Sequence, residues 1–183
     1  MTGSAPTPPG AESVKLRSHN TEGTSVRRAL FLLACGVAGG AVLIDQGTKA
    51  LAAAQLSEVG RIPLLGDWLG LQLAFNPGTV MSLGSDSTWM LTIIATVASV
   101  ALLIAATRVR STGWAVAIGL LWGGAIGNLL DRLFAPPGFG RGHVTDFLAY
   151  GNLFIGNLAD IALGVGLGLA LLLYLRRPHQ TRR

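Results

Sequence analysis

The stretch from Gly142 to Leu175 reads GHVTDFLAYGNLFIGNLADIALGVGLGLALLLYL. It ends in a nearly unbroken apolar run, which is typical of a membrane-spanning helix. Asp160 nevertheless lies within this run, and Asp146 lies fourteen residues before it. An aspartate in the hydrocarbon region costs roughly 2.5–3.5 kcal/mol on insertion scales. The chain must therefore contain a feature that offsets this cost.

The composition of the whole chain is that of a membrane protein. Of its 183 residues, 50% are hydrophobic and only 13% are charged, and the mean hydropathy is +0.53. These values favour one polytopic membrane domain over a soluble core. The net charge of +5 does not indicate nucleic-acid binding, because the basic residues cluster at the ends of apolar segments. The single cysteine, Cys35, excludes an internal disulfide, and the three scattered histidines do not suggest a metal site.

Four apolar segments have about the length that a spanning helix requires. They cover residues 29–54, 89–107, 114–134 and 153–175. We therefore predict an all-α polytopic membrane protein with four transmembrane helices. The domain organisation follows from the polar flanks: a disordered cytoplasmic tail over 1–26, a four-helix membrane domain over 27–177, and a cytoplasmic C-terminal tail over 178–183.

Basic residues flank the apolar segments in an ordered way. An even number of spans places all of these flanks on one side, which the positive-inside rule identifies as the cytoplasm, together with both termini. The flanking residues are Arg27 and Arg28, Arg108 and Arg110, and Arg176 and Arg177. The loops 55–88 and 135–152 then lie on the outer side. The acidic residues near that outer side are Asp45, Asp131, Asp146 and Asp160.

The loop 55–88 is too apolar for a solvated linker. Its segment LGLQLAF alternates as a half-buried strand does, and the step Asn76-Pro77-Gly78 is typical of a turn. We therefore expect a small β-rich platform in the outer loop, lying at the membrane interface.

The segment GGAIGNLLDRL, residues 123–133, joins small residues to polar ones at the outer end of the third span. The glycines allow another backbone to approach closely. Asn128, Asp131 and Arg132 share roughly one helical face. A structural ion pair would explain Asp131 equally well, and Arg132 is also suited to binding a carboxylate or a phosphate through two hydrogen bonds.

The segment GNLAD, residues 156–160, opens the fourth span. Asn157 and Asp160 face the same way, and Gly164 and Gly168 continue that face, so it is predicted to pack against another helix. Asp160 is expected about five to seven residues inside the helix.

Asp146 is expected in the outer loop, folded back beside Asp160. Two carboxylates at one site cannot both ionise cheaply, so one pKa rises and the pair shares a proton. One carboxylate can then take a proton from water while the other protonates a scissile carbonyl, as in aspartic proteases.

In DQGTK, residues 45–49, Asp45 and Lys49 are four residues apart. They form either a structural ion pair or part of a polar shell that positions the site or contacts a lipid headgroup.

Taken together, these motifs resemble a known family. DQGTK, NPG, GGAIGNLLDR, VTDF and NLAD follow the order found in lipoprotein signal peptidase (signal peptidase II), and the resemblance runs from the first span to the fourth. It implies an intramembrane aspartic endopeptidase of the bacterial cell membrane that needs no cofactor. Its substrates would be prolipoproteins that already carry diacylglycerol, cut just before the lipidated cysteine. The catalytic pair would be Asp146 and Asp160. The supporting residues would be Asp45, Lys49, Asn76, Gly78, Asn128, Asp131, Arg132 and Asn157.

The chain departs from the family pattern in several places. Gly156 replaces the usual phenylalanine and Thr145 a usual valine, the segment between the two aspartates is short, and NPGTVMSLG lacks the usual aromatic residue. These departures concern the shape of the pocket and the outer loops rather than the carboxylate pair.

Two other classes of function are weighed against the peptidase. A small proton-coupled transporter would also keep acids within the membrane, but it would spread polar residues through the membrane depth. A non-catalytic membrane scaffold would tolerate loss of either carboxylate. The expected partners are lipid-modified prolipoproteins and membrane lipids, with no nucleic acid, and one copy of the chain is expected to suffice.

Overall fold

The computed structural model of the chain describes residues 9–78 and 88–176, and side chains from Gly23 onward within these ranges. Four helices in the described part are long and apolar enough to cross a membrane. They are α1 (Pro9–Gln55, of which Gly23–Gln55 meets the criterion), α2 (Thr88–Ala106), α3 (Thr112–Phe134) and α4 (Leu158–Leu175). The predicted four-span architecture is confirmed.

The helix α1 extends beyond its predicted start. It begins at Pro9, within the segment 1–26 for which the sequence predicts a disordered tail, and proline suits the first turn of a helix. The start of α1 therefore lies seventeen residues before the predicted boundary between tail and membrane domain at residue 26. The predicted C-terminal tail and residues 79–84 of NPGTVMSLG lie outside the described residues.

The predicted platform is an antiparallel sheet with strand order β1-β2-β3-β4. Its strands are β1 (Ile62–Leu65), β2 (Leu69–Asn76), β3 (Val144–Tyr150) and β4 (Phe154–Gly156). The LGLQLAF segment thus forms a strand, as predicted. The segments containing β3 and β4 were expected to be loop and helix, and instead they complete the sheet. Because β2 pairs with β3, residues from two distant parts of the chain, such as Ala74 and Asp146, lie side by side.

The start of α4 corrects two expectations. The helix begins at Leu158, not at 153, because Leu153 belongs to the β3–β4 turn and residues 154–156 pair with β3. Asn157 is the N-cap: its Oδ1 accepts from the backbone N–H of Asp160 at 3.0 Å. Asp160 is therefore in the first helical turn rather than five to seven residues inside the helix, which lowers the cost of keeping a carboxylate there.

The helix α3 lies at the centre of the bundle and contacts the other three helices. A Cβ at Gly123 would lie 2.7 Å from the carbonyl oxygen of Ala38 in α1, and one at Gly124 would lie 2.6 Å from that of Ala159 in α4. These glycines permit the close approach that the sequence predicts.

The small-residue face predicted on α4 is wrong. Gly164 and Gly168 have no neighbouring atom within 4 Å of an added Cβ, whereas Gly166 packs against α3. The error has a geometric cause: the contact with α3 follows the row through Ala159 and Gly166, which lies roughly 100–120° around the helix from Asp160. Gly164 and Gly168 are therefore free to face lipid.

The two ends of the helix bundle differ in chemistry. The sheet and the acidic residues of the spans lie at one end, which we call the platform end. At the other end lie Arg27 and Arg28 in α1, Arg108 and Arg110 between α2 and α3, and Arg176 after α4. We call this the arginine end.

Candidate active site

Asp146 lies in β3, an interior strand of the sheet, opposite Ala74 of β2. Its side chain is buried, with the residue only 2% exposed. The Asn76 side-chain amide donates to its Oδ2 at 3.0 Å, and the Asn157 amide donates to its Oδ1 at 2.6 Å. A buried carboxylate needs such donors. The two amides fix both oxygens of Asp146.

Asp160 lies beside Asp146 but in a more open position. Its residue is exposed, and its Oδ1 accepts from the Asn128 amide at 2.9 Å. Its Oδ2 accepts from the backbone N–H of Asn157 at 3.2 Å, which completes a capping box at the start of α4. Cap and helix dipole both favour a carboxylate in this turn.

Asn157 connects the two carboxylates. The same side chain donates to Asp146 and accepts from the backbone of Asp160, and the residue is 1% exposed. Because both ends of the amide are engaged, its orientation is fixed. The two aspartates, fourteen residues apart in the chain, are thereby held in one site, as predicted.

The environment of Asp146 favours its protonated form. Burial raises the pKa of this carboxyl from 3.8 to about 6, and the negative charge of Asp160 adds to the rise, while the amides of Asn157 and Asn76 and the charge of Lys49 oppose it. One of the two carboxyls is therefore suited to carry a proton at mildly acidic pH.

A buried ionic cluster lies behind the aspartates. The Nζ of Lys49 lies 2.8 Å from Oδ2 of Asp45 and 2.9 Å from Oδ2 of Asp131, and it donates to Oδ1 of Asn128 at 3.0 Å. Lys49 thus satisfies all three of its donors. Because Asn128 in turn binds Asp160, the cluster orients the amide that holds one carboxylate of the pair.

Asp45 also holds the start of α4 directly. Its Oδ1 accepts from the backbone N–H of Ala159 at 2.9 Å, and the residue is 1% exposed. A carboxylate is stabilised at a helix N-terminus, where unpaired N–H groups point outward. The structure contains the Asp45–Lys49 ion pair that the sequence offers as one alternative, and the same Asp45 side chain also contacts the start of α4.

Arg132 and the Asn76 turn form the remaining side of the site. The backbone N–H of Gly78 donates to Oδ1 of Asn76 at 2.8 Å, and Gly78 has φ +92°, which favours glycine. An added Cβ there would lie 3.3 Å from Nη1 of Arg132. Among the described residues, this buried Nη1 has no hydrogen-bond partner. The guanidinium interacts electrostatically with Asp146, Asp131 and Asp160.

Two contributors were missed by sequence reasoning. The Gln46 amide donates to Oδ1 of Asp131 at 3.0 Å and to the carbonyl of Gly127 at 3.1 Å. The backbone N–H of Thr145 donates to Oδ2 of Asp131 at 3.0 Å. A polar Gln46 beside Asp45 inside an apolar helix could have signalled the first contact. A backbone donor carries no sequence signal, so the second could not have been found.

Asp131→Asn is expected to lower stability more than turnover. Asp131 accepts from Lys49, Gln46 and Thr145, but it does not bind either carboxylate of the pair. The loss of a buried charge partner costs about 3 kcal/mol or more. A thermal unfolding curve and the cleavage rate per folded molecule measure the two effects separately. Normal stability with a complete loss of cleavage would contradict the assignment.

Gly127→Ala is expected to lower the free energy of unfolding by about 1–3 kcal/mol, the usual cost of overpacking. Its Cβ would lie 2.5 Å from Oδ2 of Asp45 and would displace that side chain from its present position. Gly164→Ala is the matched control, because an added Cβ there meets no atom within 4 Å. Thermal unfolding in detergent compares the two variants, and equal stability would contradict this packing.

An apolar groove lies on the face of the sheet opposite to the Asp146 side chain, because successive side chains of a strand point to opposite faces and Phe147 lines the groove. It has a volume of about 200 Å³ and runs between the end of α1 and the sheet. Phe147, which follows Asp146 in β3, forms part of its lining together with Leu51, Ala52, Leu56 and Leu71. Leu51 is 60% exposed, so the groove opens toward the surface that faces lipid. Within the described side chains, no three His, Cys, Asp or Glu residues are grouped to hold a metal ion.

Comparisons with known proteins identify a family for the chain. Residues 37–176 match the family model described as signal peptidase (SPase) II. The chain is 48% identical over 149 residues to a lipoprotein signal peptidase of Leifsonia xyli subsp. xyli, covering 81% of this chain and 68% of the relative. It is 42% identical over 158 residues to a lipoprotein signal peptidase of Bifidobacterium longum, covering 86% of each.

A solved structure gives the same fold. It is described as a bacterial membrane enzyme determined by the in meso method at 2.3 Å resolution, and it superposes with a TM-score of 0.70 at 26% sequence identity. The match covers 82% of this chain and 92% of that one. The likeness of fold therefore extends over most of the chain.

Proposed function

The chain belongs to the signal peptidase II family, and from that premise we propose that it is an intramembrane aspartic endopeptidase. It removes signal peptides from diacylglyceryl-modified prolipoproteins by cutting before the lipidated cysteine. The observation that carries this proposal is the bridge formed by the Asn157 side chain, which donates to the carboxyl group of Asp146 and accepts from the backbone N–H of Asp160. This bridge presents two carboxyl groups to one substrate.

The proposed reaction is general acid–base hydrolysis. Asp160, the more exposed carboxylate, takes a proton from water while the water oxygen bonds to the scissile carbonyl carbon. Asp146 donates its proton to the carbonyl oxygen, in keeping with its raised pKa. The intermediate then collapses: the C–N bond breaks, Asp160 passes its proton to the leaving nitrogen, and the hydroxyl formed from the carbonyl oxygen returns its proton to Asp146. Water is the only co-reactant in this sequence.

The fold offers separate contacts to the two parts of a substrate that is partly lipid. The groove beside Phe147 is apolar and can take an acyl chain, while Arg132 faces the site with an unpaired Nη1 among the described residues. A carbonyl or ester oxygen of the substrate is a suitable acceptor for this donor. The polar and apolar parts of a diacylglyceryl peptide thus each have a place.

The membrane orientation is part of the proposal. The arginine end lies in the cytoplasm, because cytoplasmic loops carry an excess of Lys and Arg. Both termini then lie in the cytoplasm, and the aspartates and the sheet lie near the outer face. The substrate's cleavage site lies near the same face, so it reaches the pair without crossing the hydrocarbon region.

Asn76→Ala is expected to shift the pH dependence of cleavage. In the wild type, Asp146 loses its proton as pH rises through about 6, so cleavage declines there. The Asn76 amide stabilises the ionised form, and its removal raises the pKa of Asp146 further. The alkaline limb of the kcat/KM profile therefore moves to higher pH. Rates measured from about pH 5 to about pH 8 decide this, and a shift to lower pH would contradict it.

The raised pKa of Asp146 has a matching effect on stability. The fold favours the protonated carboxyl, so this contribution to stability is complete below the ordinary value of 3.8 and is lost as pH rises through about 6. Loss of the Asp146 proton as pH rises thus lowers both the rate of cleavage and the free energy of unfolding.

A cleavage assay tests the proposal. Purified protein in detergent is given one prolipoprotein with the diacylglyceryl group and one without it, and mass spectrometry identifies the new N-terminus. We expect cleavage of the modified form only, immediately before the cysteine. A folded protein that cleaves neither form would favour a transporter or a scaffold. Proton-flux measurements in vesicles would then separate these two.

A further inference from the structure

A second cavity lies at the arginine end, far from the aspartates along the helices. Its volume is about 350 Å³. Its lining combines two arginines, a tryptophan and three aliphatic residues: Arg108, Arg110, Trp114, Ala105, Val109 and Ile118. The site proposed for peptide cleavage uses none of these residues.

The cavity lies against α1. Val109 belongs to a buried cluster with Ala34 of α1, and Leu30 packs against that cluster. Leu30 is within one helical turn of Arg27 and Arg28, so these two arginines lie near the cavity without lining it. The positive charge at this end is therefore concentrated around one opening.

The fourth helix brings a further arginine to the same end. An added Cβ at Gly113 would lie 3.1 Å from Cδ2 of Leu173, and Arg176 follows Leu173 by three residues. Acidic residues do not balance this charge within the described side chains. Residues 23–44, 88–130 and 161–176 contain no Asp or Glu.

We propose that this cavity binds an anionic phospholipid. Arg108 and Arg110 hold the phosphate, because a guanidinium binds two phosphate oxygens in a planar pair of hydrogen bonds. Trp114 lies at the level of the headgroups, where tryptophan is favoured. Ala105 and Ile118 contact the first methylenes of an acyl chain. The positive dipole end of α3, whose first turn has no acidic residue, adds to the attraction.

The shape of the cavity favours a lipid over a soluble anion. Four of its six lining residues are apolar or aromatic, and α2 presents exposed apolar side chains such as Ile104 and Leu103 next to it. A free phosphate would gain only the arginines, whereas a phospholipid also covers the apolar part of the lining. The lining of the cavity therefore favours a phospholipid whose phosphate lies at the membrane interface.

Native mass spectrometry of the full chain in a neutral detergent tests the proposal, with phosphatidylglycerol and phosphatidylcholine as probes. We expect phosphatidylglycerol to bind the wild type about tenfold more tightly than phosphatidylcholine. Arg108→Gln/Arg110→Gln should remove this preference. Arg27→Gln/Arg28→Gln is the matched control, because it removes the same charge at the same end but leaves the cavity lining intact. It should change the preference less than threefold, as roughly expected for screened charges.

Two further measurements distinguish lipid binding in the cavity from a general electrostatic attraction between anionic lipids and the arginine end. Ala105→Phe fills the cavity without changing the charge and should also weaken phosphatidylglycerol binding. Inorganic phosphate should not displace the lipid from the wild type. Equal losses in the two double variants would overturn the proposal in favour of diffuse attraction, and displacement by phosphate would overturn it in favour of an anion site. Thermal unfolding of each variant confirms that it is folded.

Discussion

Asp146→Asn and Asp160→Asn are each expected to reduce cleavage of a diacylglyceryl-modified prolipoprotein by about 10³-fold or more. An amide can neither accept the proton of water nor donate one to a carbonyl at a useful rate. The two substitutions preserve volume, and the N-cap Asn157 is retained in both variants, so Asp160→Asn should keep the start of α4. Asp146 accepts from two amides, so Asp146→Asn loses one of these contacts and some stability.

The matched control is Asp67→Asn, which removes an exposed acid of the platform and should leave cleavage unchanged. The assay compares cleavage per folded molecule, with the folded fraction taken from thermal unfolding. Wild-type turnover in either variant of the pair would refute the aspartic mechanism. It would leave membership of the family untouched, because that rests on the sequence and fold comparisons.

Lys49→Met is expected to have the largest effect on stability, about 3–5 kcal/mol. It leaves Asp45 and Asp131 buried without their shared cation, and it leaves Asn128 without the donor that orients it. The unfolding temperature in detergent measures the loss. Cleavage should fall as well, because Asn128 holds Asp160.

A second substitution tests the cause of this loss. Lys49→Met combined with Asp131→Asn removes one of the two stranded charges and should recover part of the stability. Arg141→Met, which removes an exposed cation at the same end, should change stability by no more than about 0.5 kcal/mol. A Lys49→Met variant as stable as the wild type would show that the buried ionic cluster does not stabilise the packing of α4.

The helices could be predicted because their signals are local. Four long apolar segments and their basic ends determine the spans, and the small residues of α3 predicted its close contacts. The sheet was predicted only for the half that alternates, LGLQLAF in β2. The residues of β4, at 154–156, extend an apolar run that leads directly into α4. Periodicity cannot separate a buried strand from a helix in such a run.

The site was predictable in its residues but not in its connections. Asn128 and Asp131 were placed on one face by their spacing, and the structure joins both to Lys49. The partners of Asp146, however, come from β2 and from the start of α4, and no local pattern indicates such pairings. The contact of Asp45 with the backbone of Ala159 spans 114 positions of the chain, so only the folded structure reveals it.

The bridge made by Asn157 has a consequence for the order of events during synthesis. Asp146 and Asp160 are brought together by a residue that also begins the last span, so a growing chain that ends before α4 has β3 without its partner carboxylate. On the proposed mechanism, hydrolytic capacity then arises only when the fourth helix has entered the membrane and docked on α3. The proposed mechanism therefore predicts that a truncated or stalled chain, which lacks the second carboxyl group, cannot cleave a substrate.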